Sequence, residues 1–139
     1  MSISLEAIVA RHADRDGPLL PILHDVQAEI GAIDAGTETR IAHLLNLTRA
    51  EVHGVVSFYH DFKAQADPRP VVHICRAEAC QARGIEAMMP AVAAAAGDRV
   101  RVETVYCLGL CSVGPNARIG DDLHARLDEG ALTKLVERA

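Results

Sequence analysis

The sequence predicts an α/β chain in two parts: a small helical bundle over residues 1–68, followed by a domain of strands and helices over residues 69–139. Apolar residues recur at helical spacing before Asp67-Pro68-Arg69-Pro70. After it, short strand-like runs alternate with helix-like ones, the pattern of helices packed on a small sheet. The four cysteines fall in two pairs, and each pair begins where a predicted strand ends.

In the first part, Ile3–Ala13 reads as a short helix and Gly17-Pro18 as a turn. Leu19, Leu20, Ile22, Leu23, Val26 and Ile30 form a helical stripe, closed by Gly31 and Asp34-Ala35-Gly36. Thr37 is the expected N-cap of a short helix carrying Ile41, Leu44 and Leu45. Thr48-x-x-Glu51 is a capping box, in which the side chain of each residue satisfies a free backbone N–H of the other. The helix it opens carries Val52, Val55, Val56 and Tyr59 on one face, giving three or four helices in all.

Two prolines in three residues then break the helical pattern and favour an extended entry to the second part. Val71–Cys75 reads as a buried strand, and Gln81–Ala96 as a helix closed by Gly97, with Pro90 implying a kink or a late start. Val100–Tyr106 alternates like a strand. Ala117–Ile119 and Leu123–Leu127 flank Gly120-Asp121-Asp122 as a hairpin, and Gly130–Arg138 is a terminal helix. The order is βαβββα.

Half the residues are apolar, enough for a packed core, but aromatics are scarce and that core must be Leu, Ile, Val and Ala. Residues 1–68 hold five Lys/Arg against ten Asp/Glu and supply the net charge of −5; residues 69–139 hold nine of each sign. An acidic chain is a poor generic partner for nucleic acid, whose affinity rests on neutralising phosphates, or for an anionic membrane, so no nucleic acid and no membrane insertion are expected. No run approaches the roughly 20 apolar residues of a membrane span. Met1–Glu6 lacks a basic segment followed by an apolar one, so the expected location is cytoplasmic. In a reducing compartment, four cysteines point to metal or redox chemistry rather than disulfides.

The spacing is Cys75-x4-Cys80, then Cys107-x3-Cys111. Strand ends put four thiols on two neighbouring loops at one end of a sheet, where they can converge. An iron–sulfur cluster needs such loops, because thiolates must surround the metals. Gly109 allows close backbone approach or positive φ, and Gly114-Pro115 sets the exit of the second loop. The rival readings are structural zinc, which prefers C-x2-C knuckles, two disulfides, and four unrelated buried cysteines. A thioredoxin-type dithiol would require C-x-x-C, which is absent. A Rieske-type site would need two histidines; His73 stands two residues before Cys75 and reads as an ordinary strand residue. Arg76, Arg83 and Arg118 are either counter-charges for the cluster or solvated loop residues.

Cys75-Arg-Ala-Glu-Ala-Cys80 and Cys107-Leu-Gly-Leu-Cys111-Ser-Val-Gly-Pro115 resemble the thioredoxin-like [2Fe–2S] ferredoxins, among them the 24-kDa-type subunit of NADH:quinone oxidoreductase and its relatives in NAD-dependent hydrogenases and formate dehydrogenases. Gly17–Leu23 and Val52–Phe62 resemble the helical segment that precedes the cluster domain in that family. The resemblance implies a thioredoxin-like domain with a small mixed sheet, and Cys75, Cys80, Cys107 and Cys111 as cluster ligands. It also implies electron transfer beside a flavoprotein partner that binds FMN and NAD. The wording Cys-Arg-Ala-Glu-Ala-Cys-Gln most resembles the gamma subunit of NAD-dependent, molybdenum-containing formate dehydrogenases. Val113-Gly114 departs mildly from the small residue, often Ala, that precedes the Pro in relatives. The chain has no G-x-G-x-x-G after a strand and no P-loop, so nucleotide and hydride chemistry are expected on the partner.

Residues 37–59 also read as a helix-turn-helix, which with a cluster would make a redox-sensing DNA-binding module. Arg49, His53 and Ser57 are meagre readers beside Glu51, and the region is acidic. Phe58, Tyr59 and Phe62 are either core residues of the bundle or, at least in part, an interface for the flavin-bearing partner.

Overall fold

The computed structural model describes residues 4–139, so what the sequence suggests for Met1–Ile3 lies outside the described residues. These divide into two compact units, one ending at Asp67 and one running Pro68–Ala139.

The first unit holds helices α1 (Leu5–Ala10), α2 (Leu19–Ile30), α3 (Ala35–Leu45) and α4 (Arg49–Phe58). Ser4 caps α1, its Oγ accepting from Ala7 N at 3.2 Å. Helix α2 ends on Gly31 at φ 88°, the left-handed conformation that costs glycine nothing. Helix α3 begins earlier than expected. Its N-cap is Asp34, whose Oδ1 accepts from Thr37 N at 2.8 Å, so Thr37 receives a cap rather than forming one. An Asp at that position is as good a cap as the sequence offers, and the Gly that follows does not stop the helix once it is capped. The capping box on α4 is complete: Thr48 N donates to Glu51 Oε2 at 2.7 Å, and Glu51 N to Thr48 Oγ1 at 3.2 Å. Ile8, Ile22, Leu23, Val26, Ile33, Ile41 and Val52 are sealed in one core.

In the segment that also reads as a helix-turn-helix, α3 and α4 are joined through Asn46-Leu47-Thr48. Two of its candidate readers are engaged internally. The buried carboxylate of Glu38 takes Arg49 Nε at 3.4 Å and His53 Nδ1 at 3.0 Å.

The second unit follows the order β1 (Val71–Cys75), α5 (Glu78–Ala82), α6 (Ile85–Ala96), β2 (Arg101–Val105), β3 (Ala117–Ile119), β4 (Asp122–His124), α7 (Glu129–Arg138). The sheet order is β2-β1-β3-β4, with β1 parallel to β2 and the other neighbours antiparallel. It is a mixed sheet in a thioredoxin-like fold. The helix expected from Gln81 is broken not at Pro90 but at Gly84, whose φ of 89° separates α5 from α6; Pro90 sits inside α6. The final strand is shorter than the Leu123–Leu127 expected, because Arg126 turns out with a φ of 54°. Val72, Ile74, Ile85, Val92, Ala117, Leu132 and Val136 make the core, and Cys75 and Cys80 belong to it.

Candidate functional site: a buried and an exposed cysteine pair

Because β1 and β2 are parallel with Cys75 in register with Val105, the chain leaves both strands at the same end of the sheet. That juxtaposition brings Cys75 and Cys107 to the same end of the sheet. Cys75 closes β1 and is 2% exposed; its N–H donates to Asn116 O at 3.1 Å. A short way on, α5 turns Cys80 inward to 1% exposure. The inner pair is thus held by a strand end and a short helix, both anchored in the core.

The outer pair is held by loop geometry. Cys107 lies just past β2 at φ 113°, a conformation that non-glycine residues seldom adopt. Gly109, at φ 78°, folds the loop back so that its N–H donates to Cys107 Sγ at 3.3 Å. Cys111 opens a 3₁₀ turn (Cys111–Val113), and its Sγ lies 3.6 Å from that of Cys107. Both outer cysteines are exposed. At Gly109 a Cβ would meet nothing within 4 Å, so positive φ alone is the requirement there. Close approach belongs to Gly114, where a Cβ would stand 3.0 Å from Cys80 Sγ. The peptide that follows, Gly114-Pro115, is cis.

The environment separates the thiols. Burial pushes the Cys80 thiol up, Cys75 adds to that, and the backbone N–H of Asn116 partly offsets it. The Gly109 N–H pulls the Cys107 thiol down. Cys111 is pushed up, first by its contact with Cys107 and then by the charge of Cys107. Cys75 contributes to the field at both Cys80 and Cys111, so the two pairs are within electrostatic reach of one another.

All four cysteines are free, and 3.6 Å is far beyond the roughly 2.0 Å of a disulfide. Among the described residues, no three His, Cys, Asp or Glu side chains group around a single ion position. The thiols come as two plus two. That is the donor set of a binuclear cluster, in which each iron takes two thiolates.

Residues 5–139 match the family described as thioredoxin-like [2Fe–2S] ferredoxin. The chain belongs to this family. These ferredoxins carry a [2Fe–2S] cluster, and the paired thiols fit one. Among curated relatives, the chain is 30% identical to the E 2 chain of the NADH-quinone oxidoreductase of Rhizobium meliloti (strain 1021), with 99% of this chain and 87% of that one covered. It is 24% identical to HndA of the NADP-reducing hydrogenase of Solidesulfovibrio fructosivorans, over 88% of this chain and 77% of that one. Among solved structures, an H2-reduced NAD+-reducing [NiFe]-hydrogenase matches with a TM-score of 0.71 at 26% identity, over 87% of this chain. The ferredoxin spans only 22% of that hydrogenase chain. Its relatives are subunits of NAD(P)-linked oxidoreductases. No described helix is long and apolar enough to cross a membrane.

Arg76 is clamped by Glu86, with Nε 2.7 Å from Oε1, and Arg83 donates to Gly114 O at 3.2 Å, so both are tied to the fold. His73 Nε2 faces Glu103 Oε2 at 3.5 Å across the β1–β2 pair, the behaviour of a strand residue. The aromatic cluster divides. Phe62 is 7% exposed with its ring edge-on to His24 at 5.0 Å, whereas Phe58 is 74% exposed, so the three do not all fill the core. Sequence reasoning missed Asn116, a buried polar residue whose amide nitrogen lies 3.5 Å from Cys80 Sγ. Its one signal was position: an Asn directly after Gly-Pro on the exit of a cysteine loop.

Proposed function

We propose that Cys75 and Cys80 hold one iron and Cys107 and Cys111 the other iron of a [2Fe–2S] cluster, and that the chain passes electrons singly beside a partner subunit carrying FMN and NAD. The observation that supports this most is the pairing itself: two buried thiols and two exposed thiols at one end of the sheet. The cluster supplies a one-electron carrier. The protein's own residues orient the thiolates, keep water from the inner pair through the core around Val72, Ile74 and Ile85, and leave the outer pair open to a partner. Residues 1–68 and 69–139 act as two domains, the second carrying the cluster. Phe58, exposed at the end of α4, is a contact for the flavoprotein.

The complex is an NAD-dependent formate dehydrogenase in the cytoplasm, a reading that rests on the wording around Cys75–Gln81. The equivalent place in an NADH:quinone oxidoreductase or an NAD-linked hydrogenase is the second reading, favoured by the names of the relatives. Anaerobic purification should give two irons and two acid-labile sulfides per chain, with a rhombic S = 1/2 EPR signal only after dithionite. Zinc without sulfide would refute the cluster. Purifying the assembled complex and offering NAD+ with formate or with hydrogen, or NADH with a quinone, decides among the three complexes.

A further inference from the structure

Asn116 is 1% exposed and lies between the two cysteine loops. Its Nδ2 is 3.1 Å from Leu110 O, beside Cys111, and 3.5 Å from Cys80 Sγ. Only the amide nitrogen can serve a carbonyl, so the contact with Leu110 sets which way the amide faces. The two hydrogens of that nitrogen then have two acceptors, one on each loop. Its oxygen is buried and has no hydrogen-bond partner among the described residues. A buried acceptor left idle is a cost, and an apolar side chain of the same size would avoid it. The side chain is therefore of use for its donors. The backbone of the same residue accepts from Cys75 N, and Gly114, two residues earlier, lets the chain come this close to Cys80 Sγ.

We propose that Asn116 is a positioning residue for the cluster: its amide N–H donates to Cys80 Sγ, fixes that sulfur relative to the Leu110 carbonyl, and raises the reduction potential. This rests on the four cysteines being the ligands. A donor to a ligand sulfur favours the more negative, reduced cluster over the oxidised one, and hydrogen bonds to sulfur are one of the levers that set such potentials. The alternative role is purely structural, a clip between the two loops.

Asn116→Leu removes the donors without adding charge. The expected result in the full chain is retention of two irons and two sulfides with the reduction equilibrium weakened by about tenfold, which for one electron is a fall of about 59 mV in the EPR redox titration. A retained cluster with an unchanged midpoint would overturn the proposal and leave the clip. Should Asn116→Leu fail to hold a cluster, pulsed EPR on the unsubstituted site decides. The chain has only two asparagines, Asn46 and Asn116. Asn46 is the left-handed cap of α3, where glycine is at ease, so an Asn46→Gly protein labelled with 15N at the asparagine side-chain amide reports on Asn116 alone. A 15N coupling to the reduced cluster supports the hydrogen bond; no coupling overturns it. Iron and sulfide missing from the unsubstituted protein would overturn the ligand assignment, and the role of Asn116 with it.

Discussion

The two units of this ferredoxin use their cores differently. In the helical unit the core is closed on itself: Ile8, Ile22, Leu23, Val26 and Val52 are fully buried, and the buried carboxylate of Glu38 is paired within the unit by Arg49 and His53. In the sheet unit the core runs into the site, because Cys75 and Cys80 are packed among Val72, Ile74 and Ile85. The helical unit is free to present an aromatic to a partner without touching its own packing. The sheet unit cannot change its inner cysteines without changing its core.

The largest expected effect lies at the cysteines. Cys80→Ser and Cys111→Ser should each abolish the cluster, seen as loss of iron, sulfide and visible absorbance. Cys80→Ser should also lower the urea midpoint further than Cys111→Ser, because it buries a hydroxyl at a cost of about 1–3 kcal/mol while Cys111 is exposed. Equal midpoints would break the comparison.

In the helical unit, Phe62→Ala should cost about 3–5 kcal/mol of stability and Phe58→Ala less than about 0.5, read from urea unfolding. Loss of flavoprotein affinity confined to Phe58→Ala would sharpen the contrast between a sealed core and a presented surface.

Next in size is Gly114→Ala. Its new methyl would press on Cys80 Sγ from 3.0 Å, a side chain packed in the core with little room to move, so a loss of about 1–3 kcal/mol is expected with broadened EPR lines.

The smallest effect is a pH dependence. In the helical unit, hydrogen bonds from Thr37 and Thr48 hold the Asp34 and Glu51 carboxyls below the usual range, and His12 does the same for Asp25. In the sheet unit, Arg76 holds Glu86 down. A folded value below the unfolded one means that stability is present above the ordinary carboxylate pKa, about 4, and is lost as pH falls through the lower folded value. Glu51→Gln should therefore lower the urea midpoint modestly at pH 7 and leave it unchanged near pH 2. An equal loss at both would mean that the box acts through shape rather than charge.

Much of this molecule is legible locally. Thr48 and Glu51 announce their capping box because the chemistry is complete within four residues. The four cysteines stand out because each pair begins at a strand end, although Cys80 lies on α5 and not on a loop. Where the local pattern misleads, near neighbours compete for one role: Asp34 displaces Thr37 as the cap, and Gly84 rather than Pro90 breaks the helix.

By itself the sequence determined the order of the strands and the capping box at Thr48 and Glu51, since each depends on residues close in the chain. Tertiary structure decided the rest. That Cys75 and Cys80 are buried while Cys107 and Cys111 are exposed depends on the parallel pairing of β1 with β2 and on α5 turning inward. That Phe62 is core and Phe58 surface depends on the chain past the end of α4 folding back, which sets the Phe62 ring against His24 of α2. Asn116 meets Cys80 across a separation of 36 residues, a contact no local pattern encodes, because only the packed loops bring the amide to the sulfur.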